Sequence, residues 1–370
     1  MRLSYIDNLR VACMLLGLFV HSLTLGDFGA LEYLADFSNM FRMATFYVVS
    51  GFFAAMLHQR YGTKLFLKNR LRALVIPLVT ALLLLNPFTL WLVFRYHNAA
   101  AHPNAGLAEV WLALTGQIPF QGPVIWHLHL WFLFSLIVYV LITSAILPVM
   151  QRVGILLEDW RLARWRSGYF LPLILGLGVM IMVLGLLTIL KLAGPAFSDQ
   201  WLLRATALYL PFFLMGLLFY LNDRIWKAVH RFDIPLLVLI IAVALLGQMA
   251  KNSDLVASML GQAQTALWRV WITFSLLALF RRLADFSSPS SRLMSRSIYT
   301  IYLFHYLIIY LLATAWTQMA EIGQIGVLII VALTGLIGTL LHVFVIEKIS
   351  LLALLFNGKS RLQSQPKPPK

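Results

Sequence analysis

The chain has 370 residues, of which 61% are hydrophobic and only 12% are charged, and its mean hydropathy is +0.84. Soluble domains carry about a quarter charged residues. The composition therefore excludes an ordinary soluble protein and predicts an all-α, polytopic membrane helical bundle. The positive-inside rule and contact with anionic membrane lipid explain the net charge of +15, so no nucleic-acid partner is expected. The single cysteine, Cys13, excludes a disulfide framework and a cysteine metal site.

Ten apolar segments are long enough to cross a bilayer, which takes about 20 residues. They predict helices at 9–26, 37–57, 72–94, 126–149, 169–192, 204–221, 233–250, 264–282, 297–316 and 324–347. The connections alternate between rich and poor in lysine and arginine, which places both termini in the cytoplasm. No A-x-A site follows the first segment, so it is expected to be retained. Residues 1–356 are expected to form one membrane domain, and residues 357–370 a disordered cytoplasmic tail.

The first predicted helix carries two ionisable side chains, Arg10 and His21, which are costly in lipid and are therefore candidates for function. An 11-residue separation is about 1100° at ~3.6 residues per turn, so both side chains leave the same face. With Arg10 at one membrane surface, His21 lies about 16 Å further along the axis, near or past the middle. Asp7 is positioned to orient Arg10 as an i, i+3 pair. The alternative is a juxtamembrane arginine and a histidine satisfied by a neighbouring helix.

The second predicted helix contains Arg42, which has no acidic residue within one helical turn, and the small pair Ser50 and Gly51. Arg42 either snorkels to the outer headgroups or serves a site, and the small pair lets another helix approach closely. A basic cluster follows on the cytoplasmic side, with Lys64, Lys68, Arg70 and Arg72. This cluster either only fixes topology or binds the phosphates of a nucleotide-bearing donor such as coenzyme A.

The longest outward connection runs from about 95 to 125 and includes His97; such a loop is usually a lid, a binding loop or disordered. His127 and His129 are two residues apart, about 200° on a helix, so both cannot face one site if the segment is helical. The histidines show no H-E-x-x-H spacing, and no metal site is expected. Trp131 is either an interfacial belt residue or part of a site.

The ninth predicted helix places His305 beside a stripe of tyrosines at helical spacing. The stripe consists of Tyr299, Tyr302, Tyr306 and Tyr310. It can pack neighbouring helices or line a path for a carbohydrate, and the sequence favours neither. No acidic residue falls in the middle of a predicted helix, which argues against a proton-coupled transporter. The histidines remain as candidate general bases near neutral pH.

Several of these segments together resemble the membrane acyltransferase-3 family. They are the spacing from Arg10 to His21, Phe46-Tyr47-Val48-Val49-Ser50-Gly51-Phe52-Phe53, Lys68-Asn69-Arg70-Leu71-Arg72 and Tyr302-Leu303-Phe304-His305. Two more, Ser38-Asn39-Met40-Phe41-Arg42-Met43 and His129-Leu130-Trp131-Phe132-Leu133, are most similar to a branch of the family that modifies glucans. Many members carry a glutamate soon after Trp-Phe-Leu, whereas Ser135 and Leu136 follow in this chain.

The resemblance implies transfer of an acyl group from cytoplasmic acyl-coenzyme A, a co-substrate rather than a resident cofactor, to a carbohydrate across the membrane. In the glucan branch it implies succinyl-coenzyme A and osmoregulated periplasmic glucans, at the inner membrane of a Gram-negative cell. The expected catalytic residues are His21 as general base, with Arg10 and Asp7. The expected donor-binding residues are Arg42, Ser50, Lys68, Arg70 and Arg72, and the expected acceptor-binding residues are His129, Trp131, Tyr302 and His305.

Other readings stay open at this point. Two alternatives are acetylation of another surface polysaccharide and transport of a polysaccharide without acyl transfer. A non-catalytic membrane subunit that scaffolds glucan synthesis is a further alternative. Membrane lipid is an expected partner, and homo-oligomers or contact with glucan synthesis machinery are further candidates. Direct transfer and a covalent acyl-histidine intermediate are both compatible with the residues.

Overall fold

The computed structural model describes residues 3–159, 169–249 and 254–359. Within these ranges every regular element is helical, which confirms the predicted all-α membrane bundle. Two short 3-10 turns, Leu23–Leu25 and Leu128–Leu130, and two π-helical turns, Ala81–Leu85 and His342–Ile346, interrupt the α-helices. The α-helices are α1 (Ser4–Ser22), α2 (Ala30–Thr80), α3 (Asn86–Asn98), α4 (Leu107–Leu114), α5 (Trp131–Asp159), α6 (Leu171–Leu192), α7 (Pro195–Ser198), α8 (Trp201–Leu221), α9 (Asp223–Ala228), α10 (Ile234–Met249), α11 (Asp254–Leu283), α12 (Pro289–Thr317), α13 (Gln324–Leu341) and α14 (Ser350–Asn357).

Among the described residues, eight helical segments are long and apolar enough to cross a membrane, so the chain is a multi-pass membrane protein. The difference from the ten predicted helices has two causes. One segment, Ala30–Asn98, includes two predicted helices, which meet at a kink at Gly62. The helix predicted at 233–250 is present as α10, but its 16 residues span only about 24 Å. The cytoplasmic placement of both termini stays a prediction.

The connection predicted between the second and third helices contains a kink at Gly62, and the residues on both sides of it are helical. Helix α2 continues to Thr80 and has non-helical dihedrals only at Gly62, where φ is 71°. A positive φ is accessible to glycine at little cost, so the helix bends there and resumes. The segment after Gly62 is rich in leucine, lysine and arginine, which are strong helix formers. The predicted basic cluster therefore lies on a helix rather than in a loop.

The chain divides into two compact units. Unit 1 comprises Met1–Cys13, Asn39–Leu67 and Val138–Ser287, and unit 2 comprises Met14–Ser38, Lys68–Ile137 and Ser288–Lys370. Helices α1, α2 and α5 each contribute residues to both units.

Unit 1 is built around a close approach of α2 and α8. A Cβ atom added to Gly51 would collide with the carbonyl oxygen of Phe213, and one added to Gly216 would collide with the carbonyl oxygen of Val48. The two glycines therefore let the backbones come together, as small residues do between membrane helices. This confirms the helix-packing role predicted for Gly51.

Unit 2 holds the long outward connection, which is ordered and packed in this structure. The indole nitrogen of Trp91 donates to the carbonyl of Ala105 at 2.9 Å. The side chain of Asn98 donates to the carbonyl of Gln121 at 3.1 Å and accepts from its backbone nitrogen at 2.7 Å. Apolar residues of the connection, including Val110, join the buried core of this unit.

Unit 2 also contains a short helix, α14, that the sequence does not predict. Its last residue, Asn357, is 8% exposed and accepts a hydrogen bond from Thr300 at 3.4 Å. The next residue, Gly358, has a φ of 62° and lies against the backbone of Ala73, where a Cβ atom would not fit. Residues 360–370 of the predicted tail lie outside the described residues, as do the basic residues Arg161, Arg164, Arg166 and Lys251.

Candidate active site

Three histidines from distant parts of the chain meet in unit 2. The ring centroids of His21 and His305 are 5.0 Å apart, and those of His129 and His305 are 4.4 Å apart. His21 lies in the last turn of α1, His129 in the turn before α5, and His305 in the middle of α12. The structure thus brings together the predicted base and two of the predicted acceptor-binding residues. We call His21, His129 and His305 the histidine cluster.

Two tyrosines of α12 frame this cluster. The ring of Tyr306 stacks on His129 at 5.1 Å with an interplanar angle of 6°, and lies 4.8 Å from the ring of His21. The hydroxyl of Tyr302 donates to the carbonyl oxygen of His129 at 2.8 Å. These contacts fix the turn that carries His129 against α12. The sequence identifies Tyr306 only as a member of the tyrosine stripe, and the structure shows that its ring contacts both His21 and His129.

The tautomer of His305 follows from its hydrogen bond. Its Nδ1 atom lies 2.6 Å from the carbonyl oxygen of Tyr302, one turn earlier on the same helix. A carbonyl oxygen only accepts, so Nδ1 carries the hydrogen and neutral His305 has its lone pair on Nε2.

Burial separates the three histidines into one accessible ring and two enclosed rings. His129 is 5% exposed and His305 is 1% exposed, whereas His21 is only half-buried. His21 therefore retains some exposed surface, whereas His129 and His305 are enclosed by the residues that they touch. The acceptor-binding roles of His129 and His305 stay predictions.

The tyrosine stripe behaves as a packing element. Tyr299 donates from its hydroxyl to the carbonyl of Ala73 at 3.0 Å, and Tyr302 donates to His129. The hydroxyl of Tyr310 hydrogen-bonds Thr24 and His97, both at 3.0 Å. Three of the four hydroxyls of the stripe are therefore engaged within the protein, which supports the packing interpretation for these three residues.

The neighbours of His129 have separate positions. Trp131 begins α5 and is half-buried. His127 donates from Nδ1 to the carbonyl of Leu128 at 3.0 Å and packs edge-on against Trp126. Burial lowers the pKa of His127, so the imidazole is neutral at pH 7. His129 contacts His305, whereas the contacts given for His127 are with Leu128 and Trp126, in agreement with the prediction that the two histidines do not face one site.

Three imidazoles in contact raise the question of a metal. Among the described residues, no group of three or more His, Cys, Asp or Glu side chains has a geometry that could hold a metal ion. The Nδ1 atom of His305 is directed to a carbonyl, and His129 stacks face to face on Tyr306. The described contacts of the cluster are therefore ring packing and hydrogen bonds to backbone carbonyls.

The predicted donor-binding cations Lys68, Arg70 and Arg72 also belong to unit 2. Lys68 is exposed, and Arg70 and Arg72 are half-buried on the second arm of α2. The bond from Tyr299 to Ala73 fixes this arm against α12. Tyr299 precedes His305 by six residues, about 9 Å along the axis of α12. One helix therefore supports both the basic segment and the histidine cluster.

The other predicted site residues belong to unit 1. Asp7 and Arg10 form the predicted i, i+3 ion pair, with Nη1 and Oδ1 3.8 Å apart, and the Arg10 guanidinium lies 5.7 Å from the ring centre of Phe53. Arg42 is 6% exposed and donates to the side chain of Asn39 at 3.2 Å. The snorkelling alternative for Arg42 is therefore wrong. Ser50 is half-buried beside the glycine that packs on α8.

Known proteins with similar sequences indicate the family of this chain. The family model described as "Acyltransferase domain" matches residues 3–347. Glucans biosynthesis protein C of Escherichia coli (strain SMS-3-5 / SECEC) is 26% identical over 379 residues, covering 96% of this chain and 94% of that protein. The protein of the same name from Salmonella heidelberg (strain SL476) is 26% identical over 393 residues, covering 98% and 96%. No solved structure matches the chain. The chain belongs to the acyltransferase-3 family of membrane acyltransferases.

Proposed function

We propose that this protein transfers a succinyl group from cytoplasmic acyl-coenzyme A to hydroxyl groups of periplasmic glucans. The reaction takes place at the inner membrane of a Gram-negative cell. The observation that carries the proposal is the half-buried His21, whose ring packs on the buried ring of His305 beside His129, in a chain of this family. The glucan acceptor is supported by the names of the relatives that align along the whole chain.

The chemistry assigns a proton transfer to His21. A sugar hydroxyl is a weak nucleophile until a base removes its proton, which is worth about 10²–10⁴ in rate. As His21 takes this proton, the hydroxyl oxygen bonds to the thioester carbonyl carbon and the carbon–sulfur bond breaks. The proton then passes from His21 to the coenzyme A thiolate. The lone pair on Nε2 of neutral His305, whose ring packs on His21, helps to stabilise the imidazolium while it exists.

The donor phosphates are assigned to Lys68, Arg70 and Arg72, because arginine forks match phosphate oxygens. Their support is the contact between Tyr299 and Ala73, which holds the basic segment on the helix that carries His305. The donor roles of Arg42 and Ser50, and the catalytic roles of Arg10 and Asp7, stay predictions.

Mass spectrometry of periplasmic glucans tests the proposal. Strains that lack the gene would carry the native chain, His21→Ala or His58→Ala at matched membrane levels. His58 is a matched histidine control, because it lies outside the cluster and hydrogen-bonds Thr63 at 3.1 Å. We expect succinyl mass with the native chain and with His58→Ala, and none with His21→Ala.

Each alternative predicts a different result. Acyl mass of another size on a different polysaccharide would identify another donor and acceptor. A transporter or flippase would relocate glucan without changing its mass. A scaffold subunit would be unaffected by His21→Ala although loss of the whole chain has an effect. A burst of coenzyme A release without acceptor would favour the acyl-histidine intermediate over direct transfer.

A further inference from the structure

Three hydrogen bonds in unit 2 link His97, at the end of α3, to the backbone of His21. The hydroxyl of Thr24 donates to the carbonyl oxygen of His21 at 2.7 Å. The hydroxyls of Thr24 and Tyr310 are 3.0 Å apart, and the hydroxyl of Tyr310 lies 3.0 Å from Nε2 of His97. The sequence places His97 in the outward connection, and the proposed chemistry gives it no role.

Only one arrangement of hydrogens satisfies all three bonds. The hydrogen of Thr24 must point to the carbonyl of His21, because a carbonyl only accepts. The hydroxyl of Tyr310 must therefore donate to the oxygen of Thr24. The remaining bond needs a hydrogen from His97, so Nε2 of His97 must carry one. A bare Nε2 would leave the bond between His97 and Tyr310 without a hydrogen.

The network holds the end of α1 in place. It does not conduct protons to the His21 ring, because it ends on a backbone carbonyl. Tyr310 is 0% exposed. The hydroxyl of Tyr96 donates to the carbonyl of Leu25 at 3.1 Å and adds a second attachment to the same turn. On the other side, Gly122 (φ 84°) of the outward connection packs against the His97 ring, where a Cβ atom would not fit.

We propose that His97 is a positioning residue for acyl transfer. Its Nε2–H orders the hydrogen bonds through Tyr310 and Thr24 that fix the His21 end of α1. The contact of its ring with Gly122 joins that end of α1 to the outward connection. The inference rests on the proposed function, since it concerns the placement of the proposed base. A small displacement of a catalytic group costs up to about 10²-fold in rate. Loss of the network should therefore lower kcat and leave donor KM unchanged.

Steady-state kinetics on the purified full chain, with succinyl-coenzyme A and glucan as substrates, tests the coupling. Tyr310→Phe and Thr24→Val remove one hydroxyl each, and both should lower kcat about 10- to 100-fold. The double variant should lose no more than the worse single variant, because both break the same chain. Tyr33→Phe is the matched control, because Tyr33 is 80% exposed. Additive losses, or an unchanged kcat in Tyr310→Phe, would overturn the proposal.

Substitutions of His97 test the hydrogen on Nε2. In His97→Gln the amide nitrogen can occupy the position of Nε2 and still donate, so most of the native kcat should remain. His97→Leu removes the donor and should behave like Tyr310→Phe. Equal rates for the Gln and Leu variants would contradict the proposed role.

The ¹⁵N spectrum of the histidines in the native full chain gives a readout that does not depend on activity. We expect the His97 signal, identified by its loss in His97→Gln, to show a hydrogen on Nε2, and the His21 signal to shift in Tyr310→Phe. A neutral His97 with the hydrogen on Nδ1 would disprove the network even if the variants fail to accumulate. If His21→Ala keeps full transfer, the proposed role of His21 as the base fails, and if the native chain adds no acyl mass, the proposed function fails. In both cases the spectrum still shows whether Nε2 of His97 carries a hydrogen.

Discussion

His305 donates from Nδ1 to the carbonyl oxygen of Tyr302 at 2.6 Å, within a single turn of α12. A backbone carbonyl on its own helix therefore fixes the tautomer of this buried imidazole. Many members of the family carry a glutamate soon after Trp-Phe-Leu, but this chain has Ser135 and Leu136 there. The orientation of His305 is thus independent of an acidic partner at that position.

The first prediction concerns His305→Asn. The amide nitrogen of asparagine can replace Nδ1 as a donor to Tyr302, but the substitution removes Nε2. We expect a protein that accumulates normally and transfers acyl groups about 10²-fold more slowly, because the imidazolium on His21 loses its neighbour. Initial rates at matched membrane levels measure this. Full activity would show that His305 only fills space beside His21.

The second prediction concerns Arg42, which the sequence assigns to the donor. Arg42→Leu should abolish transfer with normal membrane levels, because leucine tolerates a buried position but cannot bind a carboxylate or oxyanion. Arg42→Lys keeps the charge and loses the planar fork, so it should retain partial activity. Transfer assays and immunoblots of membranes decide between these outcomes. Normal transfer by Arg42→Leu would remove Arg42 from the site.

The third prediction concerns the packing of α2 on α8. Gly51→Ala and Gly216→Ala each place a methyl group against a backbone carbonyl that cannot move away easily. Each should destabilise the fold by about 1–3 kcal/mol and lower the unfolding temperature. Gly178→Ala is the control: nothing lies within 4 Å of its added Cβ atom, so the better helix propensity of alanine should leave stability equal or higher. Equal stability of all three variants would contradict the close approach.

The fourth prediction concerns the pH dependence of stability through His230, which lies between α9 and α10. His230 donates from Nδ1 to the carbonyl of Trp226 at 2.6 Å, so its Nε2 accepts from the hydroxyl of Tyr5 at 3.0 Å. Burial, with a smaller effect from the charge of Arg281, lowers the pKa of His230 from 6.5 to about 4.

Between these two pH values the unfolded chain binds the proton and the folded chain does not. The stability from neutral His230 is therefore fully present above pH 6.5 and decreases as the pH falls towards 4. Thermal unfolding of the native chain in detergent should show this loss, and His230→Gln should show a smaller slope over the same range. Identical slopes would mean that His230 does not titrate with folding.

The membrane architecture could be predicted from the sequence because its causes are local. A run of apolar residues that enters lipid must hydrogen-bond its own backbone polar groups, and a helix does this independently of the rest of the chain. The ion pair of Asp7 with Arg10 and the close helix contact at Gly51 are also local consequences of helical spacing and small side-chain size. The helical structure of the basic segment after Gly62 was not predicted, because basic residues at a membrane surface are compatible with both a loop and a helix.

Only the tertiary structure decided which of the candidate residues meet. His21, His129 and His305 lie on separate elements, and no periodicity in the sequence relates one membrane helix to another. The same limit explains why the sequence left the tyrosine stripe open, since the partners of Tyr302 and Tyr310 come from other segments of unit 2. Local hydrophobicity determines that each segment is a helix, whereas the packing of side chains between helices determines which faces form a site.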